Sequence, residues 1–256
     1  MTEPDEPLSK YRAPALEKGL DVLELLAAHG APLTVSQIST ALNRSVSELF
    51  RMLQVLEFRG YLANAPTGDG LVLTNKLFAL GMARAPARTL HEAALPIMRR
   101  LSDAIRQSCH LAVASMDQMV VVARIESPGN LGFSVRVGYH RKLVEATSGL
   151  VLYAYQPEPV RDEWRTRLRP GVEPARWDRF EAKAAQARAD RHVQALSDVT
   201  PHVIDLSAPV MGPDGVAAAL TCPYIDTPTS IGVPATIAAI QAAAQEISVQ
   251  LGAAYP

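Results

Sequence analysis

The side chains best suited to specific polar contacts cluster between Arg44 and Gln54. On a helical wheel this stretch gathers Ser47, Arg51 and Gln54 on one face, with Phe50 beside them toward the N-terminal half. The guanidinium forks of Arg44 and Arg51 match phosphate oxygens or the O6 and N7 atoms of guanine, and the Gln54 amide matches adenine or a phosphate. Ser45 followed by Glu48 has the spacing of a capping box, in which each side chain takes up an orphan amide at a helix start. Glu48 therefore has two readings, a capping carboxylate or an acceptor for cytosine N4.

Other reactive side chains form no recognisable constellation. His110, His140, His202, Asp205 and Cys222 include metal-binding types, but their spacing matches no ligand motif, so neither a metal nor a cofactor is expected. His110 falls on an apolar strand, where a hydrogen-bonded core histidine is the first reading and a ligand contact the second. Cys109 and Cys222 are distant in sequence with no Cys-x-x-Cys pair, which argues against a disulfide framework and fits a reducing cytoplasm. A Gly-x-Ser-x-Gly elbow, a phosphate-cradling loop, a dinucleotide fingerprint and a His-Glu-x-x-His helix are all missing, and Ser148-Gly149 has no evident base. No catalytic residue is assigned, and an enzyme is not expected.

The elements that must position the Arg44–Gln54 side chains are legible on either side of them. From Pro14 to His29, Leu16, Leu20, Leu23 and Ala27 recur as one helical face flanked by Val22, Leu25 and Leu26, and Gly30 stops the run. Thr34 with Gln37 opens a second helix whose inner face is Ile38, Ala41 and Leu42. After the turn Asn43-Arg44, Ser45 opens a third helix with an inner stripe of Val46, Leu49, Met52, Leu53 and Leu56. A short helix, a tight turn and a longer helix make a helix-turn-helix, whose second helix offers its N-terminal residues to base edges. Beyond Gly60, residues 61–64 and 71–73 pair around the tip Pro66–Gly70 as a hairpin, or wing. The tip carries no Lys or Arg, so packing rather than phosphate binding is its expected use. A three-helix module for protein contacts is the alternative, and the order of turn, caps and hairpin favours double-stranded DNA.

Net charge gives no help here. The chain is formally -1 at pH 7, and residues 10–90 hold nine Lys or Arg against six Asp or Glu, so any affinity for DNA must come from a few placed cations. No segment approaches the roughly 20 apolar residues that cross a bilayer, and the acidic, proline-bearing start is unlike a signal peptide. A cytoplasmic protein with a disordered tail over residues 1–12 is expected, and no membrane partner.

The sequence resembles the IclR family of bacterial transcriptional regulators. The likeness is carried by Ala15-Leu16-Glu17-Lys18-Gly19-Leu20-Asp21-Val22-Leu23, by Phe50-Arg51-Met52-Leu53-Gln54-Val55-Leu56-Glu57 and by Gly60-Tyr61. Downstream punctuation agrees. Thr74 can cap a connector helix that Ala85-Pro86-Ala87 interrupts, and Thr89 with Glu92 opens a helix toward Gln107 with Pro96 as a kink or restart. Strands at 109–114 and 120–125 flank the turn Met116-Asp117-Gln118, and Phe133–Gly138 continues the sheet. Helices follow at 148–155, 158–168 and 176–191, then strands at 203–210 and 216–222 around Gly212–Gly215. A closing helix presents Ile237, Ile240, Ala244, Ile247 and Leu251 and ends at Gly252. The fold class is α/β of the α+β kind: a winged helix-turn-helix over 13–74, a linker helix over 75–90, and a GAF-like domain over 91–256 with a mostly antiparallel sheet flanked by helices.

By this resemblance the C-terminal domain binds a small-molecule effector and drives self-association. The pocket residues it implies are Glu145, Ala146, Thr147, Ser148 and Gly149, then Asp205, Ser207 and Thr221, with Leu131, Phe133 and Leu143 as an apolar wall. Family members commonly carry a histidine near Val144 or Glu145, a lysine at or beside Leu150 and a cysteine at Asp205; this chain departs at all three. If Glu145 and Asp205 both face the cavity, an acid would meet like charge, so a neutral, amine- or amide-bearing effector is expected. The alternative is that both carboxylates point to solvent. The resemblance also implies homodimers or dimers of dimers on a palindromic operator, with residues 75–90 as a subunit contact or a plain spacer. The function so implied is a regulator whose operator binding is modulated by the effector. A protein-interaction adaptor with a degenerate helix-turn-helix is the alternative.

Overall fold

A computed structural model describes residues 13–66, 69–82, 85–197 and 199–253. The expected tail at 1–12, and Thr67 and Gly68 of the hairpin tip, lie outside the described residues. The chain divides into two compact units between Ala85 and Pro86.

The first unit holds α1 (Pro14–His29), α2 (Val35–Ala41), α3 (Val46–Phe58), the hairpin β1 (Leu62–Asn64) and β2 (Leu71–Leu73), and α4 (Lys76–Met82). Pro14 takes the first helical position of α1, where a missing N–H costs nothing. Thr34 and Ser45 cap α2 and α3 through complete capping boxes with Gln37 and Glu48. Beneath them lies one small core of Val22, Leu26, Leu33, Ile38, Leu49, Leu53, Leu62 and Leu71. Leu33 ties the hairpin down: its amide donates to the Leu71 carbonyl at 3.1 Å and its carbonyl accepts from the Leu71 amide at 2.8 Å. At Gly70, with φ +134°, a Cβ would lie 3.0 Å from the Leu33 carbonyl carbon, so a side chain is excluded there.

The buried stripe of α1 is rotated from the expected one. Val22 and Leu26 are buried, whereas Leu16, Leu20 and Ala27 are exposed. Leucines recur on more than one face of this helix, and packing against α2, α3 and β2 decides between them. Ala41 and Val46 are likewise exposed rather than internal; Val46 is the first residue of α3, and Leu49, three residues on, is the first to reach the core.

The second unit runs α5 (Ala85–Ile105), β3 (Cys109–Ser115), β4 (Gln118–Ile125), β5 (His140–Lys142), a 3-10 turn at Leu143–Glu145, α6 (Thr147–Ala154), α7 (Glu158–Leu168), α8 (Pro174–Asp190), β6 (Val193–Leu196), β7 (Ile204–Gly212), β8 (Gly215–Tyr224) and α9 (Val233–Gln250). The six strands lie in the order β5-β4-β3-β8-β7-β6, each pair antiparallel. Two three-stranded meanders thus meet at a central β3–β8 seam. Helices α6 to α8 carry the chain from one sheet edge to the other and cover one face, with Leu152, Tyr153, Trp177 and Phe180 in the layer between. Helices α5 and α9 cover the opposite face around Ile97, Met98, Ile240 and Ile247. Alternation along β8 serves both layers: Leu220 and Cys222 face α5 and α9, while Ala219 and Thr221 face α6.

Several expectations need correction. Helix α5 begins at Ala85 and continues through Pro96, so Thr89 falls inside the helix instead of capping it and Pro96 brings no restart. Phe133–Gly138 forms no strand; it is irregular chain leading into the short β5. Strands β5 and β6, of 3 and 4 residues, went unread because alternation needs a longer run to show. Cys109 and Cys222, remote in sequence, stand opposite each other one step beyond the paired residues of β3 and β8. Both are buried free thiols, and burial pushes Cys109 up to about 12 and Cys222 well above its ordinary value, so both stay protonated and inert. No described helix is long and apolar enough to cross a membrane.

Candidate functional site

Two polar constellations stand out, one in each unit. In the first, α3 leaves Ser47, Arg51 and Gln54 exposed, with Phe50 half-exposed beside them. None of the ion pairs among the described residues involves Arg51. Arg44, in contrast, is held by Asp21 at 3.1 Å. Both Glu48 oxygens are engaged: Oε2 accepts from the Ser45 amide at 3.0 Å, and Oε1 accepts from Lys18 Nζ at 3.0 Å. The Ser45 amide first, and then Lys18, hold the Glu48 carboxyl down to about 2. Its geometry is that of the cap, so Glu48 locks the start of α3 rather than reaching outward.

In the second unit a cavity of about 200 Å³ opens over the central seam of the sheet. Beneath it runs a polar row: register places His110 of β3, Thr221 of β8 and Ser207 of β7 side by side, and the first two line the cavity. Thr221 Oγ1 lies 2.8 Å from Ser207 Oγ and 3.0 Å from Ser148 Oγ of α6, a chain of three hydroxyls. Thr147 Oγ1 donates to Asp205 Oδ2 at 3.3 Å. Glu145 lies 3.7 Å from both Arg141 and Arg176, which offset its charge. Apolar wall comes from Met119, Phe133, Val135, Tyr139 and Val199, and Arg136 stands exposed at the rim.

Helix α6 enters this cavity unusually. No side chain caps it, although the amides of its first turn have no intrahelical acceptors. Gly149 lets it come this close: a Cβ there would sit 2.2 Å from the Leu143 carbonyl oxygen. His110 is 4% exposed, and among the described residues its Nδ1 has no hydrogen-bond partner. Burial holds its imidazole down to about 4, so it is neutral at physiological pH.

Of the expected pocket residues, Phe133, Glu145, Ala146, Thr147, Ser148, Asp205 and Thr221 line the cavity. Four do not. Leu131 is 70% exposed, Leu143 is fully buried in the layer under α6, Ser207 is buried behind Thr221, and Gly149 serves the close approach of α6 to the Leu143–Glu145 turn. Glu145 and Asp205 both line the cavity rather than pointing away from it. Among the described residues no group of three His, Cys, Asp or Glu gathers as a metal would require; His110 and Cys222 face opposite sides of the sheet.

Comparison with known proteins bears on the whole chain. The family model for the IclR helix-turn-helix domain matches residues 15–66, and that for the C-terminal region of the bacterial transcriptional regulator IclR matches residues 83–249. The chain belongs to the IclR family. That family is one of transcriptional regulators rather than enzymes. Among curated relatives, the IclR-family match to the transcriptional regulator KdgR of Escherichia coli K12 is 31% identical over 156 residues, 60% of this chain and 58% of that protein. The repressor AllR of the same organism is 26% identical over 147 residues, 57% of this chain and 54% of its own length. The aligned part thus spans little more than half of either relative. Among solved structures, an IclR homologue from Microbacterium hydrocarbonoxydans superposes with a TM-score of 0.76 at 23% identity, covering 94% of this chain and all of that one. The Pseudomonas aeruginosa protein HmgR superposes at 0.70 and 24% identity, over 93% of this chain and 99% of that one. At these identities the likeness is one of IclR fold.

Sequence reading of this IclR-family chain missed several cavity residues. Strand alternation alone would have set His110 on the face opposite Cys109 and Leu111, and thus toward α6. Arg136, Tyr139, Ser197 and Val199 come from irregular chain whose course only tertiary packing decides, and no local signal marks them.

Proposed function

We propose that this chain is an IclR-type DNA-binding transcriptional regulator whose affinity for a palindromic operator is set by a small molecule held over the β3–β8 seam. The observation that carries the reading is the polar face of α3, uncovered on the second helix of a helix-turn-helix. Arg51 and Gln54 address base edges or phosphates there, Ser45, Ser47 and Arg44 address the backbone, Phe50 offers an apolar contact, and Glu48 holds the helix start. The working division is a DNA-binding domain over 13–74, a linker over 75–90 and an effector and oligomerisation domain over 91–256. Two copies, or a dimer of dimers, would set paired α3 helices about one DNA turn apart. Exposed Leu77, Phe78 and Leu80 of α4 support a subunit contact there. Free, buried cysteines fit a cytoplasmic setting.

For the effector, the cavity has room for roughly a dozen non-hydrogen atoms if each takes about the space of one buried water. The homologue from Microbacterium hydrocarbonoxydans is described as complexed with 4-hydroxybenzoate, a molecule of about that size. In this chain Asp205 shares the cavity with Glu145, whose charge Arg141 and Arg176 offset, and the remaining carboxylate favours a neutral, amine- or amide-bearing effector over an acid. Fluorescence anisotropy of the full chain against fragments from upstream of its own gene tests the DNA half. Saturable, sequence-specific and steeply salt-dependent binding is expected. Indifference to sequence at physiological salt would favour the adaptor reading, which the cation-free described part of the hairpin tip recommends. A thermal-shift screen against metabolites tests the sensing half, since only a compound bound to the native state raises the melting point.

A further inference from the structure

Within that ligand-cavity reading, on which it rests, His110 is the group left without a job. It is buried, it lines the cavity, and its Nδ1 has no partner among the described residues. A buried polar atom without a hydrogen bond is costly, and native chains retain one mainly where something else completes it. The neighbouring hydroxyls each have a partner: Thr221 bonds both Ser148 and Ser207, and Thr147 donates to Asp205. A molecule entering the cavity therefore meets, at its floor, an imidazole whose Nδ1 no described residue bonds, beside the uncapped first turn of α6.

We propose that His110 is a specificity-determining contact and that the ligand reaches it with an uncharged amide. A neutral imidazole has one donor and one acceptor nitrogen. An amide satisfies whichever ring nitrogen turns to the cavity in either tautomer, through its N–H if that nitrogen is bare and through its carbonyl if it carries the proton, and its carbonyl also suits the α6 amides. A carboxylate of the same shape can only accept. It would also bring negative charge beside Asp205 and Glu145, while Arg141 and Arg176 are already turned to Glu145. The inner end of the cavity is thus built to read a neutral group, with Phe133, Met119 and Tyr139 along the ligand's apolar body.

The test uses matched acid and amide pairs, benzoate with benzamide and cyclohexanecarboxylate with its carboxamide, titrated calorimetrically into the full chain and into His110→Leu. The amides are expected to bind the native chain at least tenfold more tightly than their acids. In His110→Leu that preference should fall about tenfold, while the melting point of the free protein holds or rises because an unsatisfied polar atom has been removed. A drop in melting point with the preference intact would make His110 structural and overturn the proposal. Tighter binding of the acids would also overturn it and leave the ligand-cavity reading standing. If no member of either pair moves the His110 ring resonances in NMR spectra, the proposal falls, and a metabolite screen that likewise finds no ligand then removes the cavity reading separately.

Discussion

The starts of α3 and α6 solve one problem in opposite ways. Both helices open with unpaired amides, both have serines or threonines at hand, and both lie in a constellation with functional potential. Helix α3 satisfies its own amides with Ser45 and Glu48, braces Glu48 with Lys18, and then leaves Ser47, Arg51 and Gln54 in water. Helix α6 has no capping side chain, buries Ser148 in a hydroxyl chain with Thr221, and turns its first residues to the cavity. The contrast separates two kinds of recognition. A helix meeting a large hydrated partner must be rigid before contact, whereas one meeting a small molecule can leave part of its hydrogen bonding for the ligand to complete.

The largest effect expected from this contrast is on acid stability. The His110 ring is held at about 4 in the folded chain against an ordinary 6.5, so the unfolded chain takes up the proton first as the pH falls. Stability is complete above about pH 6.5 and declines toward pH 4, with this residue's share of the loss being about 3 kcal/mol. Urea unfolding of the native chain and His110→Leu across that window should show the slope only in the former; parallel curves would mean that the ring is solvated. Next in size, Gly149→Ala places a methyl against the Leu143 carbonyl, and a cost of about 1–3 kcal/mol is expected from overpacking. An unchanged melting point would show that the close approach is not required.

Smaller effects sharpen the comparison at the caps themselves. Ser45→Ala should cost about 1 kcal/mol and fray α3. Ala146, the cap residue of α6, already has the extended backbone of a capping position, so Ala146→Ser should stabilise the ligand-free protein by less than about 1 kcal/mol. It should weaken whatever ligand uses those amides. Circular dichroism melts measure both substitutions, and a loss of stability in Ala146→Ser would show that the α6 start is already satisfied.

What could be read ahead of the coordinates follows the range of the forces involved. The capping boxes at Thr34 and Ser45, the hairpin and the bounds of α7 depend on residues within a few positions of one another, and the sequence carries them openly. The face of α1 does not, because Leu16, Leu20, Val22 and Leu26 are equally apolar and only the third dimension selects Val22 and Leu26. Half of the cavity is hidden for the same reason. Thr147, Ser148, Asp205 and Thr221 sit on regular elements with a family pattern to follow, while Arg136, Tyr139 and Val199 lie on chain whose path is fixed by what it packs against. Leu131 and Leu143 show the opposite error: apolar character marks burial or a binding wall equally well, and one proved exposed and the other internal.

The most direct test is the salt dependence of operator binding by the native chain and by Arg51→Ala. If the uncovered face of α3 enters the major groove, the substitution should cost about 1–3 kcal/mol at a base contact, or lower the log–log salt slope by about 1 at a phosphate, with the melting point unmoved. Equal affinity and equal slope for the two proteins at physiological salt would contradict the assignment of α3 as the DNA-reading helix.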